Sequence, residues 1–123
     1  MLKVLIADDE EKICQLIIKL INWEEMGLKI AATASNGIEA LEQAEICKPE
    51  ILITDIRMPG IDGMELIRKV KEKLPDTEII IISGYRHFEY AQTAIRYGVR
   101  NYLLKPIKKE ELRDTLQKIA DIY

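Results

Sequence analysis

The sequence predicts one α/β domain whose parallel sheet is buried on both faces. Three features carry that expectation: five short runs of continuous apolar residues, helix-period segments between them, and a length of 123 residues that suits a single core. With 48% hydrophobic and 32% charged residues the chain is far from the composition of disordered segments.

The first apolar run, residues 3–7, reads KVLIA and stops at two acids, so it is too short and wrongly flanked for the core of a signal peptide. Ile13, Leu16, Ile17 and Leu20 then recur at i, i+3, i+4 and i+7 and predict the inner face of a first helix. After a connection over residues 23–27, residues 29–34 predict a second strand, and Asn36-Gly37 a turn. Ala40, Leu41 and Ala44 form the inner stripe of a second helix, ended by Lys48-Pro49. Residues 51–54, ILIT, are the third strand. Asp62 should cap the third helix, with Glu65 at the spacing of a capping box, Leu66, Ile67 and Val70 facing inward, and Pro75-Asp76 closing it. The fourth strand, residues 79–82, is four isoleucines; a helix over 88–97 stops at Gly98, and residues 101–104 make the fifth strand. Leu112, Leu116 and Ile119 mark the inner face of a last helix. Right-handed crossovers leave such an alternation few topologies.

Several function classes fall away on bulk properties. A net charge of −3 argues against nucleic acid as a direct ligand of this domain, because phosphate binding needs a basic patch. No stretch approaches the roughly 20 apolar residues of a membrane span, and Cys14 and Cys47 lack a C-x-x-C spacing or neighbouring histidines. The expectation is a cytoplasmic protein with two reduced, inert thiols. His87, the single histidine, has no partner residues that would make it a metal ligand or a relay. No repeat, low-complexity tract or linker is visible, so an output domain is expected to lie outside these residues.

In open α/β sheets the ligand site lies beyond the carboxyl ends of the strands. Here the first strand runs into Asp8, Asp9 and Glu10, the third into Asp55, the fourth into Ser83-Gly84 and the fifth into Lys105-Pro106. Each residue alone has an ordinary explanation: a strand-end Asp is commonly a turn former, adjacent acids favour a helix N-terminus, and a lone lysine is usually solvated. Their convergence on one edge is what these explanations do not cover. Clustered carboxylates resist joint ionisation, so a hard divalent cation such as Mg²⁺ is the natural neutraliser of an all-oxygen set. Mg²⁺, a lysine and a hydroxyl would together neutralise a phosphoryl group while one carboxylate attacks phosphorus.

The stretches LIADDE, ITDIRMPGIDG, IISGY and YLLKPI resemble, in order and spacing, the receiver domains of bacterial two-component response regulators, and the likeness spans the chain. The resemblance implies a flavodoxin-like (CheY-like) doubly wound (βα)5 sheet of strand order 2-1-3-4-5, one receiver domain over residues 1–123, and a regulator rather than an enzyme. It implies Asp55 as phosphoacceptor from a sensor histidine kinase. It further implies Mg²⁺ bound by Asp9 directly, Asp8 through water, Asp55 and the backbone carbonyl of Arg57. Lys105 would pair with the aspartyl phosphate, with a cis bond into Pro106, and Ser83 would bind a phosphoryl oxygen and couple to Tyr102 as the switch. Arg57 and Tyr85 stand where the family varies and would screen the phosphate from water. INWEEMGLKI and SGYRHFEYAQTAIRYGVRNYLLKPI resemble the YesN-type subgroup, which implies an AraC-type DNA-binding output domain, so that DNA is contacted only outside this chain. The face formed by the fourth helix, fifth strand and last helix, with Tyr90, Tyr97 and Arg100, is the candidate homodimer or output surface.

Three other readings compete with this one. A haloacid-dehalogenase-type hydrolase needs an acid two residues after its nucleophile, where this chain has Arg57. A flavin- or nucleotide-binding module needs a phosphate cradle after the first strand, where this chain has DDEEK. A phosphate-independent pseudo-receiver remains the alternative, against which stands the intact set Asp8, Asp9, Asp55, Ser83 and Lys105.

Overall fold

The computed structural model describes residues 1–84, 92, 95–99 and 101–123. Five strands, β1 (Leu2–Ala7), β2 (Leu28–Ala34), β3 (Ile51–Thr54), β4 (Glu78–Ser83) and β5 (Asn101–Leu104), form one parallel sheet in the order β2-β1-β3-β4-β5. Between and after them run α1 (Glu11–Leu20), α2 (Gly37–Cys47), α3 (Gly63–Lys73) and α4 (Lys109–Ile122). Most of the helix expected over 88–97 lies outside the described residues; Gly98, the expected stop, has the left-handed φ of +70° that a residue without Cβ adopts freely.

Alternation along each strand sorts the side chains into two cores. Val4, Ile6, Ile51, Ile53, Ile80 and Ile82 join Ile17 of α1 and Leu112, Leu116 and Ile119 of α4. Leu5, Leu52, Ile79 and Ile81 join Ala40 and Ala44 of α2 and Leu66, Ile67 and Val70 of α3. A sheet covered on both faces explains why its strands read as unbroken apolar runs instead of alternating ones.

Local chemistry corrects three sequence expectations. Asn36-Gly37 is no free turn: Asn36 Oδ1 accepts from the Glu39 amide at 2.8 Å and caps α2, and Gly37 is its first residue. The capping box of α3 is half made, since Asp62 Oδ1 accepts from the Glu65 amide while the Glu65 carboxylate turns to Arg68. On α1, Ile17 is buried and Ile13 and Leu20 pack partly buried against the core as their spacing predicts, but Leu16 is 42% exposed, and the buried stripe runs through Cys14, Ile17 and Ile21. Both stripes have helical spacing; the smaller thiol lies innermost, its Sγ 3.7 Å from the Asp8 carbonyl. Ile17→Ala should therefore cost about 2–5 kcal/mol in urea denaturation, and Leu16→Ala less than about 0.5 kcal/mol; a reversed order would restore the first assignment.

Candidate functional site

The strand order reverses between β1 and β3, which lie side by side although β2 intervenes in the chain. That reversal brings the two acid-bearing strand ends together. The ladder continues one residue past each strand: the Asp8 amide donates to Ala34 O at 3.0 Å and the Asp55 amide to Ala7 O at 3.1 Å. Backbone pairing thus drives both carboxylates into the rim of the core, where Asp8 is 2% and Asp55 5% exposed.

Lys105, just past β5, reaches across the sheet edge to them. Its Nζ stands 3.0 Å from Asp55 Oδ2, 3.2 Å from Asp8 Oδ2 and 3.8 Å from Glu10 Oε1. The bond from Lys105 to Pro106 is cis, and the Lys105 amide donates to Ser83 O at 2.8 Å, which ties the ends of β4 and β5. Burial alone would lower the pKa of this ammonium. Its hydrogen bond to Asp55 and the charges of Asp55 and Asp8 outweigh that, and hold the pKa above the ordinary 10.5. For Asp8, burial is the larger influence and raises the pKa, against the lowering effects of the Glu10 amide on its Oδ1 and of Lys105.

The carboxylates open onto a cleft of about 380 Å³ lined by Asp9, Glu10, Asp55, Arg57, Gly84 and Lys105. A larger cleft, about 450 Å³, lies between Met26 and α4, but Glu25 is the one carboxylate in its lining, alongside Lys109 and Arg113, and makes no ligand set. Asp8, Asp9 and Glu10 each offer an oxygen within 4.8 Å of the others, an all-oxygen group suited to a hard cation. Asp9 and Arg57 are exposed at the cleft. Ser83 is fully buried at the end of β4, and Tyr102, partly buried, pairs with Ile81 one strand over. Tyr85, His87, Tyr90 and Arg100 lie outside the described residues.

Three site residues were not singled out from the sequence. Glu10 was noted only as following two acids. Thr54 hydrogen-bonds the Asp55 carbonyl at 2.8 Å, and its signal was a polar residue closing an apolar strand. Gly63 packs its Cα against Asp55: a Cβ there would stand 2.0 Å from the Asp55 carbonyl oxygen.

The model of the response regulator receiver domain matches residues 4–117. The chain belongs to the response regulator receiver family. This receiver is 44% identical over 119 residues to the transcriptional regulatory protein YesN of Bacillus subtilis, covering 97% of the chain and 32% of that protein. It is 38% identical over 120 residues to the transcriptional regulatory protein HptR of Staphylococcus aureus, covering 98% of the chain and 47% of that protein. The chain thus spans about a third to a half of the relatives' length. The receiver also superposes on the receiver domain of AraT, a response regulator from Geobacillus stearothermophilus, with a TM-score of 0.93 and 43% identity over 98% of this chain and 94% of that one. The expected flavodoxin-like fold and strand order are those of the receiver. No helix among the described residues is long and apolar enough to cross a membrane.

Lys105→Met should lower the urea stability of the receiver at pH 7 by about 3–5 kcal/mol, because two buried carboxylates lose their cation. Asp8, whose pKa burial already raises, would then bind a proton still more readily in the folded than in the unfolded state, so part of the loss should return on acidification from pH 7 to 5. In the native protein the ammonium's contribution has the opposite position on the pH scale: present in full below 10.5 and lost as the pH rises past its raised folded value. Gly63→Ala should cost about 1–3 kcal/mol in the same measurement, since the loop must move to admit the methyl group.

Proposed function

We propose that this receiver accepts a phosphoryl group on Asp55 from the phosphohistidine of a sensor histidine kinase, and that the modified state controls a DNA-binding output domain. The supporting observation is the ammonium of Lys105 held 3.0 Å from Asp55 Oδ2 at the mouth of an acidic cleft. In the transfer, an Asp55 carboxylate oxygen forms a bond to phosphorus as the phosphorus–nitrogen bond of the donor breaks. The bonding pair leaves with the imidazole, which takes up a proton.

The donor set Asp8, Asp9, Asp55 and the Arg57 backbone carbonyl fits Mg²⁺: hard oxygens, with net negative charge still in excess of Lys105. When bound, Mg²⁺ supplies charge neutralisation for phosphoryl oxygens. The remaining work falls to the chain's own groups. Lys105 follows the charge from the carboxylate to the phosphoryl oxygens, since acyl phosphate formation leaves the Asp55 carboxyl oxygens less negative than before. The Ser83 hydroxyl donates to a second oxygen, and its displacement lets Tyr102 turn inward, passing a local charge event to the surface shared by the segment expected as a helix over 88–97, β5 and α4. That surface is the candidate homodimer or output face. The names of YesN and HptR as transcriptional regulatory proteins support a transcription output. The site of action is the cytoplasm, where such a kinase presents its phosphohistidine.

Incubation with acetyl phosphate and Mg²⁺ should add one phosphoryl mass to the intact chain, and Asp55→Asn should abolish it. Absence of any adduct, with or without a kinase, would leave phosphate-independent interaction as the function. Arg57 and Tyr85 are proposed to screen the acyl phosphate from water. Replacing both by alanine should speed phosphate loss severalfold, and an unchanged rate removes that role.

A further inference from the structure

Asp55 does not hang freely from the end of β3. Its Oδ1 accepts from the Ile56 amide at 2.7 Å, and its Oδ2 faces Lys105 at 3.0 Å. The Ile56 N–H belongs to the same peptide unit as the Asp55 carbonyl. A peptide unit is planar, so fixing its oxygen fixes the direction of its N–H. That oxygen is held from two sides: the buried Thr54 Oγ1 donates to it at 2.8 Å, and it lies against the Cα of Gly63, where a Cβ would stand at 2.0 Å. The next carbonyl is tied as well, with the Gly63 amide donating to Ile56 O at 2.6 Å.

From this we infer that Thr54, with Gly63, is a positioning residue for phosphoryl transfer: its hydroxyl locks the Asp55–Ile56 peptide so that the Ile56 amide holds one carboxylate oxygen and leaves the other turned to Lys105. The inference rests on Asp55 being the acceptor. Thr54 hydrogen-bonds the Asp55 main-chain carbonyl and does not line the cleft, so it acts through the peptide. Among aliphatic replacements, valine keeps the shape of threonine and removes the hydroxyl, whereas serine keeps the hydroxyl and removes a methyl group. A packing role and a hydrogen-bonding role therefore separate.

The test measures two quantities on native chain, Thr54→Val, Thr54→Ala and Thr54→Ser: the rate of phosphoryl uptake from acetyl phosphate at saturating Mg²⁺, and the amide resonance of Ile56 at fixed pH without Mg²⁺. Loss of one hydrogen bond of ordinary strength corresponds to about a fivefold effect. Thr54→Val and Thr54→Ala should slow uptake by about that factor and move the Ile56 amide proton upfield, while Thr54→Ser keeps both near native. Two hydroxyl-free variants guard against one of them failing to fold. If Thr54→Val and Thr54→Ala match the native uptake rate, or if Thr54→Ser loses as much as they do, the positioning role is overturned. If no protein in the set forms an adduct, the acceptor assignment fails instead, and the Ile56 resonances alone decide whether the hydroxyl orients the peptide.

Discussion

Like charges gathered at the rim of a buried sheet must be neutralised, and in this receiver the ammonium of Lys105 does so for Asp8, Asp55 and Glu10 at once. The fold around it follows from that requirement. The crossover that sends β2 to the outside of β1 is what sets the ends of β1 and β3 side by side, and β5 is placed to return a lysine from 50 residues downstream to the same point. The arrangement is self-neutralising in one sense and deficient in another. Among the described residues, Lys105 and the exposed Arg57 stand against Asp8, Asp55, Glu10 and the exposed Asp9. The excess negative charge favours a divalent cation, while the half-buried ammonium remains available to follow negative charge onto whatever oxygen carries it.

The ordinary explanations of the acidic residues turn out to be partly correct, and this does not weaken the functional reading. Asp62 caps α3, and Asp8 binds the Glu10 amide in a local turn. What distinguishes Asp8 from Asp62 is its second oxygen, which faces a buried cation. Likewise Asp55 has one oxygen in a local backbone contact and one in the shared pair. A carboxylate used twice, once to shape the chain and once to face the cleft, is more rigid than either role alone would make it.

The loop after β3 is shaped by close backbone approach more than by side-chain bulk. Gly63 brings α3 against the Asp55 carbonyl, and Gly37 brings the start of α2 against the Ile61 carbonyl, where a Cβ would again stand at 2.0 Å. The loop after β3 is therefore pinned at both ends by backbone contacts that only glycine permits.

The amino-acid sequence by itself determined the number, type and order of the described elements, because unbroken apolar runs and helical periods report burial on two faces of a sheet. β3 and β5 fall on their expected residues, and Leu66, Ile67, Val70, Leu112, Leu116 and Ile119 are all buried as their spacing requires. The positions of Asp8, Asp55 and Lys105 at strand ends were likewise legible, since strand boundaries are where apolar runs stop. Tertiary structure alone decided that Cys14 and not Leu16 completes the buried face of α1, because both satisfy the helical period with Ile17. It alone decided that Asn36 is a cap, that Glu65 serves Arg68, and that Thr54 and Gly63 hold the Asp55 peptide. These are choices among partners of similar local merit, and a partner is selected by distance in space, which periodicity along the chain does not encode.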